Sequence, residues 1–146
     1  MTDREITAAL LHEEGECQAG LRLGERWEPM LMDLVHTPVE LMARGVRDHL
    51  ADCLVTLPAL AVDGSTASIH FFMGNLTNMR KEIFPALGRA YGHWRASGDT
   101  EPLASLAEEG CAHWERLARA MMDVHREAEK GMMAQRMSDL VADSLL

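Results

Sequence analysis

The chain has 146 residues, 47% of them hydrophobic and 25% charged, which is enough to bury a core and too apolar for a disordered segment. Lys and Arg total 14 against 23 Asp and Glu, a formal charge of −9, so the surface repels phosphate backbones, and no basic, aromatic-studded stretch offsets this. Nucleic acid is therefore not an expected partner.

Aromatic residues make up only 5% while methionines number 11, which predicts a core of Leu, Met, Ala and Val and suits packed helices more than a sheet. The longest apolar stretch, Cys53 to Val62, is interrupted by Thr56 and Pro58 and is far too short to span a bilayer. The N-terminus, MTDREI, is charged from its third residue and has no apolar signal core, so no membrane association is expected. Cys17, Cys53 and Cys111 are widely spaced and odd in number, which is no disulfide framework and predicts a reducing, cytoplasmic setting.

Helical spacing dominates the chain, and strand-like alternation never persists. Thr2-x-x-Glu5 makes a capping box that starts a helix running to about Leu23, where Gly24 stops it. Ile6, Leu10, Cys17 and Leu21 fall on one stripe of this helix and are expected to face the interior. A short helix follows, with Pro29 in its first turn and Met30, Leu31, Leu34 and Val35 available for burial, ending at His36 before Thr37-Pro38. Thr37-x-x-Glu40 is a second capping box, launching a helix through about Leu57 with Val39, Met42, Val46, Leu50 and Cys53 on its stripe. Pro58 and Asp63-Gly64-Ser65 close that segment.

The stretch TASIHFFMGNL reads as a short helix with Ile69, Phe72, Met73 and Leu76 on one face. Thr77 or Asn78 can cap the next, whose stripe of Met79, Ile83, Leu87, Ala90 and Trp94 is kinked at Pro85. Ala96 to Pro102 is a loop. The longest pattern runs from Pro102 to Lys130 through Leu103, Leu106, Trp114, Leu117, Met121, Val124 and Ala128, reaching Met132; a tail from Gly131 to Leu146 is again amphipathic. The prediction is one all-α domain over 1–146, a bundle of five to seven helices in which 1–130 form the core and 131–146 an amphipathic C-terminal tail.

Two sets of residues carry the functional expectations. The long helix and tail hold more apolar surface than one stripe can bury. Met121, Met122, Met132, Met133, Met137, Leu140 and Leu145 therefore predict a face for a second copy or a partner helix, the alternative being that the long helix is central and buried all round. On this reading the chain is a cytoplasmic interaction or regulatory module that self-associates as a homodimer. The alternative is a metal- or cofactor-binding bundle. Glu13 and Cys17 are four residues apart and read as inward, as are His49 and Cys53, and the two pairs, with His113 in reserve, would suit a tetrahedral transition metal such as zinc. Cysteines that are small core hydrophobes and a glutamate bonded at the helix shoulder explain the same residues without metal.

His12-Glu13-Glu14-Gly15-Glu16 begins like a zinc-protease helix but has Glu16 where the second histidine must stand, and Asp33-x-x-His36 has no second copy to build a di-iron centre. Phosphate-binding loops, Gly-x-Ser-x-Gly elbows and paired deaminase cysteines are absent, so no motif points to a particular reaction, although side chains from distant helices can still converge on one. A small-molecule pocket lined by Phe71, Phe72, Trp94 and Trp114 is a third expectation, without a convergent polar set.

Overall fold

The structure, a computed structural model, describes residues 2–146. It is 83% helical, with no strand among the described residues. The elements are α1 (Asp3–Leu23), α2 (Trp27–Leu34), α3 (Pro38–Ala51), a π-helical turn (Asp52–Thr56), α4 (Leu57–Asp63), α5 (Thr66–Gly74), α6 (Asn78–Ile83), α7 (Pro85–Ser97), α8 (Glu101–Glu127) and α9 (Met133–Ala142). The segment α3–π–α4 is one continuous rod, so eight helices are present among the described residues, one more than the upper end of the expected range.

The first capping box forms: the Glu5 amide donates to Thr2 Oγ1 at 3.2 Å and the Thr2 amide to Glu5 Oε2 at 2.6 Å. The second does not. Thr37 Oγ1 instead donates back to the Leu34 carbonyl at 2.7 Å, and Glu40 takes the His36 amide at 3.4 Å. His36 makes that turn with φ of 67°, a left-handed conformation that costs a residue with a Cβ.

The two prolines act opposite to expectation. Pro58 does not end its helix, because the wide π turn just before it takes up the carbonyl that the proline ring would strike and leaves without a donor. Pro85 does more than kink: Phe84, restricted by the ring that follows, sits at φ −126°, ψ 61°, and α6 and α7 are separate helices.

Helix α8 is the axis of the bundle, packed against α3, the π turn, α4, α7 and α9, and more lightly against α1 and α2. Its neighbours cover it on more than one side, so Ala118 and Met122 are buried as fully as Leu103, Trp114, Leu117 and Met121. Gly110 lets α8 approach the π turn, where Cys53 Sγ occupies the space that a Cβ there would need.

Helix α1 is rotated relative to the expected stripe. Gly15, Ala19 and Leu23 are its buried residues, while Ile6, Leu10, Cys17 and Leu21 are exposed, Leu10 at 65% and Leu21 at 79%. The reason is distance. A Cβ on Gly15 would stand 2.8 Å from the Ala51 carbonyl oxygen, so the backbones are closer than larger side chains allow, and the small face wins the contact.

Candidate functional site

A cleft of about 780 Å³ opens between the N-terminal half of α1, the π turn with α4, and α5. Its walls are mainly apolar: Ala8 and Leu11 from α1, Ala59 and Leu60 from α4, and Phe72 from α5. Each wall follows from the local fold. Rotation of α1 puts Ala8 and Leu11, rather than Ile6 and Leu10, on the inner side. Continuation of the rod past Pro58 gives α4 the length to form the second wall.

Asp52, Thr56 and Arg80 are the charged and polar residues set deepest in this lining. The wider hydrogen-bonding spacing of the π turn redirects the side chains of Asp52 and Thr56, which are only 5% and 8% exposed. Arg80 reaches them from α6, whose N-terminus is fixed by Thr77 Oγ1 accepting from the Arg80 amide at 3.3 Å. The Arg80 guanidinium pairs with Asp52 through Nη2 and also donates to His49 Nδ1 at 3.2 Å, while His49 Nε2 donates to the Arg80 carbonyl at 2.9 Å. Burial pushes the Asp52 carboxyl up and the Arg80 charge pulls it back.

His49 is wholly buried, stacked on Trp114 at 5.0 Å and meeting Phe84 edge-on at 4.9 Å. Burial and, after it, the Arg80 charge hold its pKa down to about 3, so it is neutral; an Nδ1 that accepts from a guanidinium requires the same.

Two polar atoms here are left over. Arg80 Nε is buried with no hydrogen-bond partner, and the Thr56 hydroxyl lies beside the Asp52 carboxylate without a hydrogen bond of ordinary geometry. Arg80 nevertheless remains 15% exposed at the cleft, so its charged group is not sealed from it.

The expected metal set is not assembled. Glu13 and Cys17 face solvent, because α1 turns its small face inward. His49 and Cys53 are buried, but both His49 ring nitrogens are engaged with Arg80, and Cys53 packs against Gly110. His113 Nε2 donates to the Ser144 carbonyl at 2.7 Å, tying α8 to the C-terminus. Among the described residues no three His, Cys, Asp or Glu side chains are placed to hold a metal ion.

The expected docking face is likewise mostly core. Met121, Met122 and Met137 are within 2% of fully buried, Met133 and Leu140 are half-buried, and only Met132 and Leu145 are exposed, because α9 folds back onto α8 and α3. Of the four aromatic residues expected around a pocket, Phe71 and Phe72 line the cleft, whereas Trp94 and Trp114 belong to the core.

Sequence reasoning missed Asp52, Thr56 and Arg80. The available signal was Asp52 itself, the sole charged residue between His49 and Val62, which in so apolar a run requires a partner.

No helix among the described residues is long and apolar enough to cross a membrane. Residues 1–144 match a family described as a family of unknown function (DUF6866), C-terminal domain, and the chain belongs to that family. No curated protein and no solved structure matches.

Proposed function

We propose that this DUF6866 C-terminal domain is a ligand-binding module that takes a small, largely apolar molecule into the cleft between α1, α4 and α5. The observation that carries the reading is the cleft itself, apolar-walled and with the buried Asp52–Arg80 pair at its foot, where the Arg80 side chain stays 15% exposed. A cleft of about 780 Å³ falls within the range of small-molecule sites. The ion pair beneath it fixes the guanidinium before anything binds, which is the preorganisation that binding requires.

The test is a small-molecule screen followed by NMR on the intact chain, beside an Ala59→Trp variant that fills the cleft from α4. Compounds that shift Thr56, Leu60 and Phe72 in the wild type, and lose those shifts in Ala59→Trp, support the reading. Cleft hits that ignore the substitution, or none in the cleft, refute it.

A second reading retains the expected interaction role but moves it to the outer face of α1, where Ile6, Leu10 and Leu21 are exposed in one stripe. Asp3, Glu13 and Glu14 are exposed on the same helix and favour a basic partner helix over a second copy of this chain. Sedimentation separates the two: a monomer leaves the basic partner, and a dimer weakened by Leu10→Glu overturns the preference.

A further inference from the structure

We infer that the pocket where α5, α6 and α7 meet is a second binding site, separate from the cleft, and that it takes a small carboxylate with an apolar body. The pocket holds about 410 Å³, within the range of small-molecule sites. It lies where α6 and α7 part at Phe84, which lines it, and it takes His70 from α5, Lys81 from α6 and Tyr91 from α7. Lys81 and His70 are exposed and Tyr91 is half-buried, so all three are open to a molecule entering from solvent.

Charge is the first ground for the ligand class. Lys81 is the cation of this lining, which holds no Asp or Glu, and among the described residues it makes no ion pair. Across α6 and α7 the basic residues are Arg80, Lys81, Arg89 and Arg95 against Glu82 alone; Asp52 matches Arg80, and the other three remain. On a chain of net charge −9 this stretch is locally positive, and an anion gains here what it loses elsewhere. The cleft, by contrast, is lined by Asp3, Glu5, Asp52 and Asp63 beside two arginines.

The second ground is a donor that survives either proton arrangement. His70 Nδ1 and the Tyr91 hydroxyl oxygen are 2.6 Å apart. If the ring nitrogen donates, the hydroxyl keeps its own hydrogen to give; if the hydroxyl donates, the proton of the neutral ring is on Nε2. One N–H or O–H is therefore left in the same lining as the Lys81 ammonium, and a carboxylate has two oxygens with which to accept from both.

The third is the wall. Met73, Leu76 and Leu87 are apolar, and Gly88 adds no side chain, since a Cβ there would meet nothing within 4 Å. The body of the ligand is apolar to match.

The test titrates 3-phenylpropanoate, 3-phenylpropanamide and 3-phenylpropylamine, which share one apolar body, into the full chain. NMR at Met73, Gly88 and Tyr91 reports the pocket, and at Ala59 and Phe72 the cleft. The carboxylate should move the pocket resonances and bind there about five-fold tighter than the amide, the most that an exposed ion pair returns, with the advantage shrinking as salt is raised. The amine, repelled by Lys81, should bind there most weakly. Lys81→Gln should bring the carboxylate down to the affinity of the amide and leave the amide where it was. Gly88→Leu, which favours the helix and fills the pocket, should remove pocket binding of all three, with an unchanged circular dichroism spectrum as the check on folding. A carboxylate no tighter than the amide, or one indifferent to Lys81→Gln, overturns the head-group assignment. Carboxylate shifts that leave Met73, Gly88 and Tyr91 in place, or no shifts at all, overturn the site; the cleft reading stands or falls separately, with Ala59→Trp.

Discussion

Replacing Gly15 by alanine tests how α1 is seated, on which one wall of the cleft depends. An added Cβ would lie 2.8 Å from the Ala51 carbonyl oxygen, 3.1 Å from its carbon and 3.2 Å from its Cβ. Two of these neighbours are backbone atoms at the join of α3 and the π turn, so the strain cannot be relieved by turning a side chain. Helix α1 must retreat by about half an ångström, and gaps of that size forfeit a quarter or more of the dispersion energy along the contact. Overpacking of this kind costs about 1–3 kcal/mol, whereas removing a glycine from a helix returns about 1 kcal/mol of propensity. Because two of the three clashing atoms are backbone, the cost lies toward the upper end and the expected net loss is up to about 2 kcal/mol.

Gly20, on the same helix, has nothing within 4 Å of its Cβ position, so Gly20→Ala should stabilise by about 0.5–1 kcal/mol. Urea denaturation followed by far-ultraviolet circular dichroism reads both variants, with unchanged m-values as the check that only stability moved. If Gly15→Ala is as stable as Gly20→Ala, α1 does not lie on Ala51 through its small face and the cleft loses that wall.

Stability should fall as the solution is acidified. His49 is wholly buried with its pKa held down to about 3, so below its unfolded value of 6.5 the unfolded chain takes up a proton that the folded chain refuses. The contribution is complete above pH 6.5 and is lost as pH falls toward 3, up to roughly 5 kcal/mol by linkage; urea midpoints across pH 4 to 7 should fall more steeply for the wild type than for His49→Gln. Native-state thiol labelling should modify the exposed Cys17 promptly and Cys53 only on unfolding, since Cys53 is buried with its thiol pushed up by desolvation. Deleting residues 131–146 should destabilise the domain by several kcal/mol in the same urea assay, because Met137 and Val141 leave the core, and a deletion variant of wild-type stability would contradict the packing of α9. His36→Gly should stabilise by about 1 kcal/mol by relieving the left-handed backbone at φ 67°.

The fold class was legible because the apolar residues of α3, α7 and α8 repeat at helical spacing with large side chains. Val39, Val46 and Leu50, Leu87 and Trp94, and Leu103 through Met121 are all buried as their stripes require. On α1 the same reasoning failed. It weighed the size of Ile6, Leu10 and Leu21 and overlooked that Gly15 and Ala19 permit a closer approach, which is worth more when a helix lies directly on another backbone. The methionines misled for a related reason: a helix apolar on two sides can be the centre of its own bundle, and α8 is.

The foot of the cleft was the least legible part. Asp52 and Arg80 are far apart in sequence and belong to no motif, and the π turn that redirects Asp52 and Thr56 has no signature in a periodicity counted at 3.6 residues per turn. Only the lone charge of Asp52 in an apolar stretch hinted at it.

The central claim is that the cleft between α1, α4 and α5 takes a small, largely apolar molecule, and the most direct measurement is NMR of the intact chain as screened compounds are added. Compounds that bind there should move Thr56, Leu60 and Phe72 in the wild type and leave them in place in Ala59→Trp. A screen whose binders all leave those resonances in place in the wild type would contradict the claim.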